Sequence, residues 1–291
     1  MKHIQSFIPE KELAEQDGSE YRFGILSNPG LVYISPELRE GYFSKGEVQS
    51  SNVADTSSCA SFSPLNKLEM DFNYLVANQK LAPNNDLWLK QNGYVGTDGK
   101  VAFSDAFIAI LSGTKVNGNS LKAPLSAIHT YGCIPKKLLP LERWMTFEQW
   151  IAPERITKKM RDLGQEFARR FPIEYEQVPS ILFGSVLKDS PFGVGAYAWP
   201  DKVNGIYPRV DFPMNHAFTI FNFPKYQVWD SYTEDGVRGS DFTKNLAPDY
   251  KFYEWGYRVY IASENKTIDQ QITLMQRLIA LLVQLRDALK R

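Results

Sequence analysis

The sequence predicts an α+β protein of two packed subdomains, helical first and antiparallel-strand second, followed by a C-terminal amphipathic helix. Three observations carry this expectation. Between Cys59 and Phe171, apolar residues recur at helical spacing between turn signals. From Ile181 onward, short runs rich in Val, Tyr, Phe and Trp are separated by Gly, Pro, Asn and Asp, the texture of strands and turns. From Thr267 to Arg291, Ile268, Ile272, Met275, Ile279, Leu282 and Leu289 form one apolar face, widened by Leu274, Leu278, Leu281 and Leu285. Helices followed by strands favour segregated layers rather than an alternating βαβ sheet.

In chain order, residues 1–36 read as a polar N-terminal extension with apolar patches at Phe23–Leu26 and Leu31–Ile34. Residues 37–262 form the main domain. Its first helix is predicted to open at Cys59 and to carry Leu65, Leu68, Met70, Phe72, Leu75 and Val76 on one face. Pro83-Asn84-Asn85 and Asn92-Gly93 are turn signals. Ser104-Asp105 can cap a helix through Phe107, Ile110 and Leu111. Leu121–Tyr131 reads as a helix stopped by Gly132, and Glu154–Phe171 as another stopped by Pro172. Strands are expected at Ser180–Leu187, Ala217–Phe223, Gln227–Trp229 and Tyr257–Ala262. Residues 263–291 are the amphipathic helix, whose apolar face is wide enough to require docking, self-association or a partner.

Lysine plus arginine and aspartate plus glutamate number 33 each, so no global basic field marks the chain as a nucleic-acid binder. Met1–Pro9 lacks the apolar core of a signal peptide, and no apolar run approaches the length of a membrane span. Two cysteines cannot build a disulfide framework. A cytoplasmic protein is the expectation, compatible with later release by lysis. Three scattered histidines without a His-Glu-x-x-His spacing predict no metal site, and no motif predicts a cofactor.

Thr56-Ser57-Ser58-Cys59 places a thiol at a predicted helix start, where backbone N–H groups favour a thiolate; the bland alternative is a small buried hydrophobe. His216 opens the strand at Asn215-His216-Ala217. Fourteen residues later a second strand ends at Trp229-Asp230-Ser231-Tyr232, so a hairpin can bring Asp230 beside His216. Cysteine, histidine and a carboxylate are the parts of a nucleophile–base–orienter set.

With these residues in place, the chain resembles the papain-like cysteine peptidases. Ser58-Cys59-Ala60-Ser61-Phe62-Ser63 with Glu69 is similar to the family's nucleophile run, and Leu38-Arg39 with Val48-Gln49 to its mature start and glutamine. Gly118-Asn119, then Leu125 and Tyr131-Gly132, resemble the substrate wall and its helix. Asn215-His216-Ala217 matches the histidine strand, Asp230-Ser231-Tyr232 stands where Asn-Ser-Trp is usual, and Gly256-Tyr257 resembles the closing strand. The resemblance implies a papain-like fold, helical subdomain plus antiparallel β-barrel-like subdomain, and hydrolysis of polypeptide or peptide substrates. It assigns Cys59, His216, Asp230 and Gln49 to catalysis, and Gly118, Asn119, Asn215 and Tyr232 to substrate binding.

There are three departures from the family. Gln49 lies ten residues before Cys59, further than usual, which makes Asn52 a competing oxyanion donor. Ala60 replaces a tryptophan. Asp230 replaces asparagine, so Asp230→Asn is expected to remain folded and active. The alternative functions are a non-catalytic papain-like structural or assembly module and a thiol amidase acting on cell-wall peptides.

Overall fold

A computed structural model describes residues 32–46, 48–142, 144–232 and 242–262. The Phe23–Leu26 patch and the C-terminal helix expected over 263–291 lie outside the described residues. In order, the helices are α1 (Arg39–Tyr42), α2 (Cys59–Ala77), α3 (Pro83–Gln91), α4 (Asp105–Leu111), α5 (Lys122–Tyr131), α6 (Phe147–Trp150), α7 (Lys158–Arg170) and α8 (Phe183–Asp189). The strands are β1 (Ile173–Pro179), β2 (Phe192–Ala196), β3 (His216–Asn222), β4 (Gln227–Trp229), β5 (Thr243–Asn245) and β6 (Phe252–Ile261). They form one antiparallel sheet in the order β1-β6-β2-β3-β4-β5. Helices thus precede strands, with α8 the exception.

The predicted one-faced helix from Cys59 is buried on nearly all sides down to Asn73. It sits between a helix-side core, containing Leu65, Leu68, Phe72, Phe107 and Phe167, and the sheet. A helix buried all round must satisfy its own polar side chains. Lys67 and Asp71 pair with each other, Glu69 accepts from the Phe103 N–H at 2.7 Å, and Asn73 Nδ2 donates to the Tyr42 carbonyl at 2.8 Å. On the sheet side, Thr219 Oγ1 of β3 donates to the Ser63 carbonyl at 2.7 Å. A second core lies within the sheet subdomain around Phe183, Phe192, Val194, Phe218 and Ile220. Val32 and Ile34 bury with Phe43, Met70 and Phe221 in a third cluster.

Helices α4, α5 and α7 form where the spacing predicts them, and Ser104 caps α4 by accepting from the Phe107 N–H. Ser180–Leu187, expected as a strand, is instead a short 3-10 turn running into α8. A compact apolar run reads equally as strand or buried helix, and here Phe183, Val186 and Leu187 pack as one helical face.

Helix α5 ends on Gly132, whose φ is +68° and whose missing Cβ would sit 2.0 Å from the Gly164 carbonyl oxygen of α7. Gly113 has φ +70° but nothing within 4 Å of a Cβ. Gly113→Ala should therefore cost only the backbone strain, about 1–2 kcal/mol. Gly132→Ala should cost clearly more, because α5 and α7 must separate. Chemical denaturation of both variants checks this, and equal losses would show that the close approach does not matter.

Candidate active site

The residues of the proposed set come from three elements. Cys59 is the first residue of α2 and fully buried. The N–H groups of that first turn point out of the helix end, where they favour negative charge. His216 opens β3 and Asp230 directly follows β4, and the antiparallel β3–β4 pairing sets them side by side. His216 Nε2 lies 2.5 Å from Asp230 Oδ1. Its Nδ1, with no nitrogen or oxygen partner, is the ring atom left for Cys59, with which this histidine interacts by charge and hydrogen bond. Burial opposes charge on the ring, but the Asp230 carboxylate and then the Cys59 sulfur outweigh it, and His216 is pushed up to about 10.

Asp230 is itself buried, which would favour its neutral form. The Lys244 ammonium and the His216 ring overcome this and hold the carboxyl below its ordinary range. The Trp199 indole N–H donates to Asp230 Oδ2 at 2.9 Å, and the Ser231 N–H donates to Oδ1 at 2.7 Å. Trp199, from the β2–β3 loop, covers the aspartate where the resemblance places a tryptophan two residues after it. The Tyr232 ring packs 5.0 Å from the His216 ring.

The long spacing from Gln49 to Cys59 is absorbed by a small excursion. The Gln49 carbonyl accepts from the Thr56 N–H at 3.0 Å, and Ser51 N–H donates to the Ala54 carbonyl at 2.9 Å, so residues 50–55 loop out and return. Gln49 is thereby brought back beside Thr56, close to the start of α2. Its Nε2 donates to Asp55 Oδ1 at 3.0 Å and to the Tyr232 hydroxyl at 2.7 Å, while its Oε1 accepts from Ser231 Oγ at 2.6 Å. The Tyr232 hydroxyl donates to Asp55 Oδ2. Asn52 is exposed on the excursion.

The other expected residues have local partners. Asn119 Nδ2 donates to the Ser112 carbonyl at 3.1 Å and its Oδ1 accepts from the Ser120 N–H at 2.9 Å, so this side chain braces its own loop. Gly118 lies in that loop, which is tied to the nucleophile segment by Ser57 Oγ donating to the Val116 carbonyl at 2.7 Å. Asn215 clamps both backbone groups of Ala198 and so fixes the approach of Trp199. Cys133 is buried, and burial with the Glu69 and Asp105 charges pushes its thiol well up.

Sequence reasoning missed Trp199, Lys244 and Asp55. The signal available was Asp230 itself: a buried carboxylate in an amide's place demands a countercharge. Among the described residues no group of His, Cys, Asp and Glu is arranged to hold a metal ion, and no helix is long and apolar enough to cross a membrane.

No protein-family model matches the chain, and no curated protein sequence does. Solved structures do. Procathepsin B from Trypanosoma congolense aligns over 90% of this chain and 88% of its own at 10% identity, with a TM-score of 0.53. A structure reported for the mite allergens Blo t 1 and Der p 1 aligns over 89% and 80% at 9% identity, with a TM-score of 0.52. Xylellain, a cysteine protease from Xylella fastidiosa, covers 84% and 96% at 14% identity, with a TM-score of 0.46. At such identities the likeness concerns the fold alone, and the chain has the papain-like α+β fold.

Proposed function

We propose that the protein is a cysteine peptidase that cuts peptide bonds through a Cys59 thiolate and a His216 imidazolium. The observation that supports this most strongly is the His216 ring. One nitrogen is fixed by a buried carboxylate at 2.5 Å and the other is left for a cysteine at a helix N-terminus. A scaffold module has no use for that arrangement.

In this reading His216 holds the proton of Cys59. The thiolate attacks the peptide carbonyl carbon, and the carbonyl π pair moves to oxygen. The Cys59 N–H and the Gln49 amide stabilise that oxygen, with Gln49 exchanging its bond to the Tyr232 hydroxyl for one to the substrate. The tetrahedral intermediate collapses, the C–N bond breaks, and His216 gives its proton to the leaving amine. Water, deprotonated by the now neutral ring, attacks the thioester and releases the acid, which restores the ion pair. Asp230 fixes the ring orientation throughout.

The direct test is a peptide library incubated with the full chain and with Cys59→Ala. Hydrolysis by the first and none by the second is expected; hydrolysis surviving in Cys59→Ala would overturn the assignment. Limited iodoacetamide should label Cys59 before Cys133: both are buried, but Cys59 stands beside His216, whereas burial with the Glu69 and Asp105 charges holds the Cys133 thiol neutral. Labelling in the reverse order would contradict the site.

Because Asp230 and Cys59 raise His216 to about 10, kcat/KM should hold through neutral pH and fall only on the far alkaline side, as the ring loses its proton. An alkaline limb near the ordinary histidine value of about 6.5 would show that the ring lacks this support. Gln49→Ala should lower kcat by roughly 10²–10³, the usual loss for one oxyanion donor. Tyr232→Phe, which releases a Gln49 N–H, should lie within a few-fold of wild type. A severe loss in Asn52→Ala with a neutral Gln49→Ala would reverse the two roles.

A further inference from the structure

We propose that Lys244 is a positioning residue of this site: its buried ammonium is the countercharge that lets a carboxylate stand at position 230, where the resemblance expects an amide. The proposal deepens the peptidase reading and rests on it.

Lys244 lies in β5, paired in register with Val228 of β4, two residues before Asp230. Lys244 and Asp230 are each about 1% exposed. Lys244 Nζ stands 3.0 Å from Asp230 Oδ2, donates to the Tyr232 carbonyl, and lies 5.4 Å from the centre of the Trp199 ring. Asp230 divides its two oxygens between two tasks. Oδ1 serves the His216 ring and the Ser231 N–H, while Oδ2 faces two donors, Lys244 and the Trp199 N–H. An asparagine could reproduce the Oδ1 side only. Its NH2 would then point at an ammonium and an indole N–H, setting donor against donor. The expectation that Asp230→Asn remains folded and active is therefore narrowed: with Lys244 in place the amide should shift the titration of the site, and the shift should be offset when Lys244 goes with it.

The same geometry couples Lys244 to the reacting pair. The groups facing the His216–Asp230 unit are Cys59 from α2, Lys244 from β5, Tyr232 and its partner Asp55 from the flanking loops, and Tyr250 before β6. Both tyrosines are pushed up by burial and then by neighbouring groups, so they stay neutral. Nearest the reacting atoms, His216 and Lys244 are the positive groups and Cys59 and Asp230 the negative ones, with Asp55 a further carboxylate beyond the Tyr232 hydroxyl. Removing the lysine makes the centre more negative, which holds protons to higher pH; removing only the aspartate charge makes it more positive, which releases them at lower pH.

The test reads the rate of Cys59 alkylation by iodoacetamide against pH in the full chain, so no substrate is needed. Lys244→Met should move the midpoints up by about one pH unit, and Asp230→Asn should move them down. The double variant should return close to wild type, and Lys244→Arg should stay there. A residue that only supports the fold would not give opposite shifts that cancel. A folded Lys244→Met with the wild-type profile overturns the proposal. If either single variant fails to fold, the double variant decides, since both charges should be dispensable together: a folded double variant with a near-wild-type profile supports the pairing, and an unfolded one overturns it. A wild-type Cys59 that alkylates like an ordinary thiol removes the peptidase reading itself, and this proposal with it.

Discussion

Burial of α2 on nearly all its sides is the constraint on which the rest of the structure depends. A helix exposed on one face could slide or tilt; this one is held by the aromatic helix-side core and by the sheet at once. Its polar residues are answered within the protein, Lys67 by Asp71 and Glu69 by the Phe103 N–H. The first residue of that fixed helix is Cys59, and the sheet strand against it begins with His216. The thiol and the imidazole are therefore brought together by subdomain packing rather than by a flexible loop, as a preorganised site requires.

Around this junction the chain solves a charge problem of its own making. A carboxylate beside the histidine strengthens the imidazolium, but a lone buried carboxylate is costly. Lys244, Trp199 and the Ser231 N–H together answer it. Gln49, Asp55, Tyr232 and Ser231 form a second network that adjoins the first through Ser231 and Tyr232 and orients the glutamine while engaging both of its N–H bonds. Apart from His216 Nδ1, the polar side-chain atoms of these two networks are thus already engaged with one another.

What could be read from the sequence was what is local or periodic. Helices α2, α5 and α7 and strands β3 and β4 announce themselves by spacing and by their stops, and the hairpin joining His216 to Asp230 follows from two strands and a short connection. Strand β2 escaped because Phe192-Gly193-Val194-Gly195-Ala196 carries two glycines and no alternation, although all five residues are buried in the middle of the sheet. The Ser180–Leu187 run misled because apolar content does not distinguish a buried strand from a buried helix. Trp199 and Lys244 left no local trace, since each reaches Asp230 from a distant part of the chain. Asn119 and Asn215 were found by resemblance; that their side chains brace loops is invisible to motif matching.

The central claim is that His216 is an imidazolium held between Asp230 and Cys59. Nitrogen-15 NMR of the histidine rings in the full chain measures this directly, with His216→Gln identifying the signal. The account predicts both His216 nitrogens protonated at pH 7 and still protonated at pH 8, with the Nε2 proton in a strong hydrogen bond to Asp230. A neutral ring at pH 7, titrating like an exposed histidine, would contradict it.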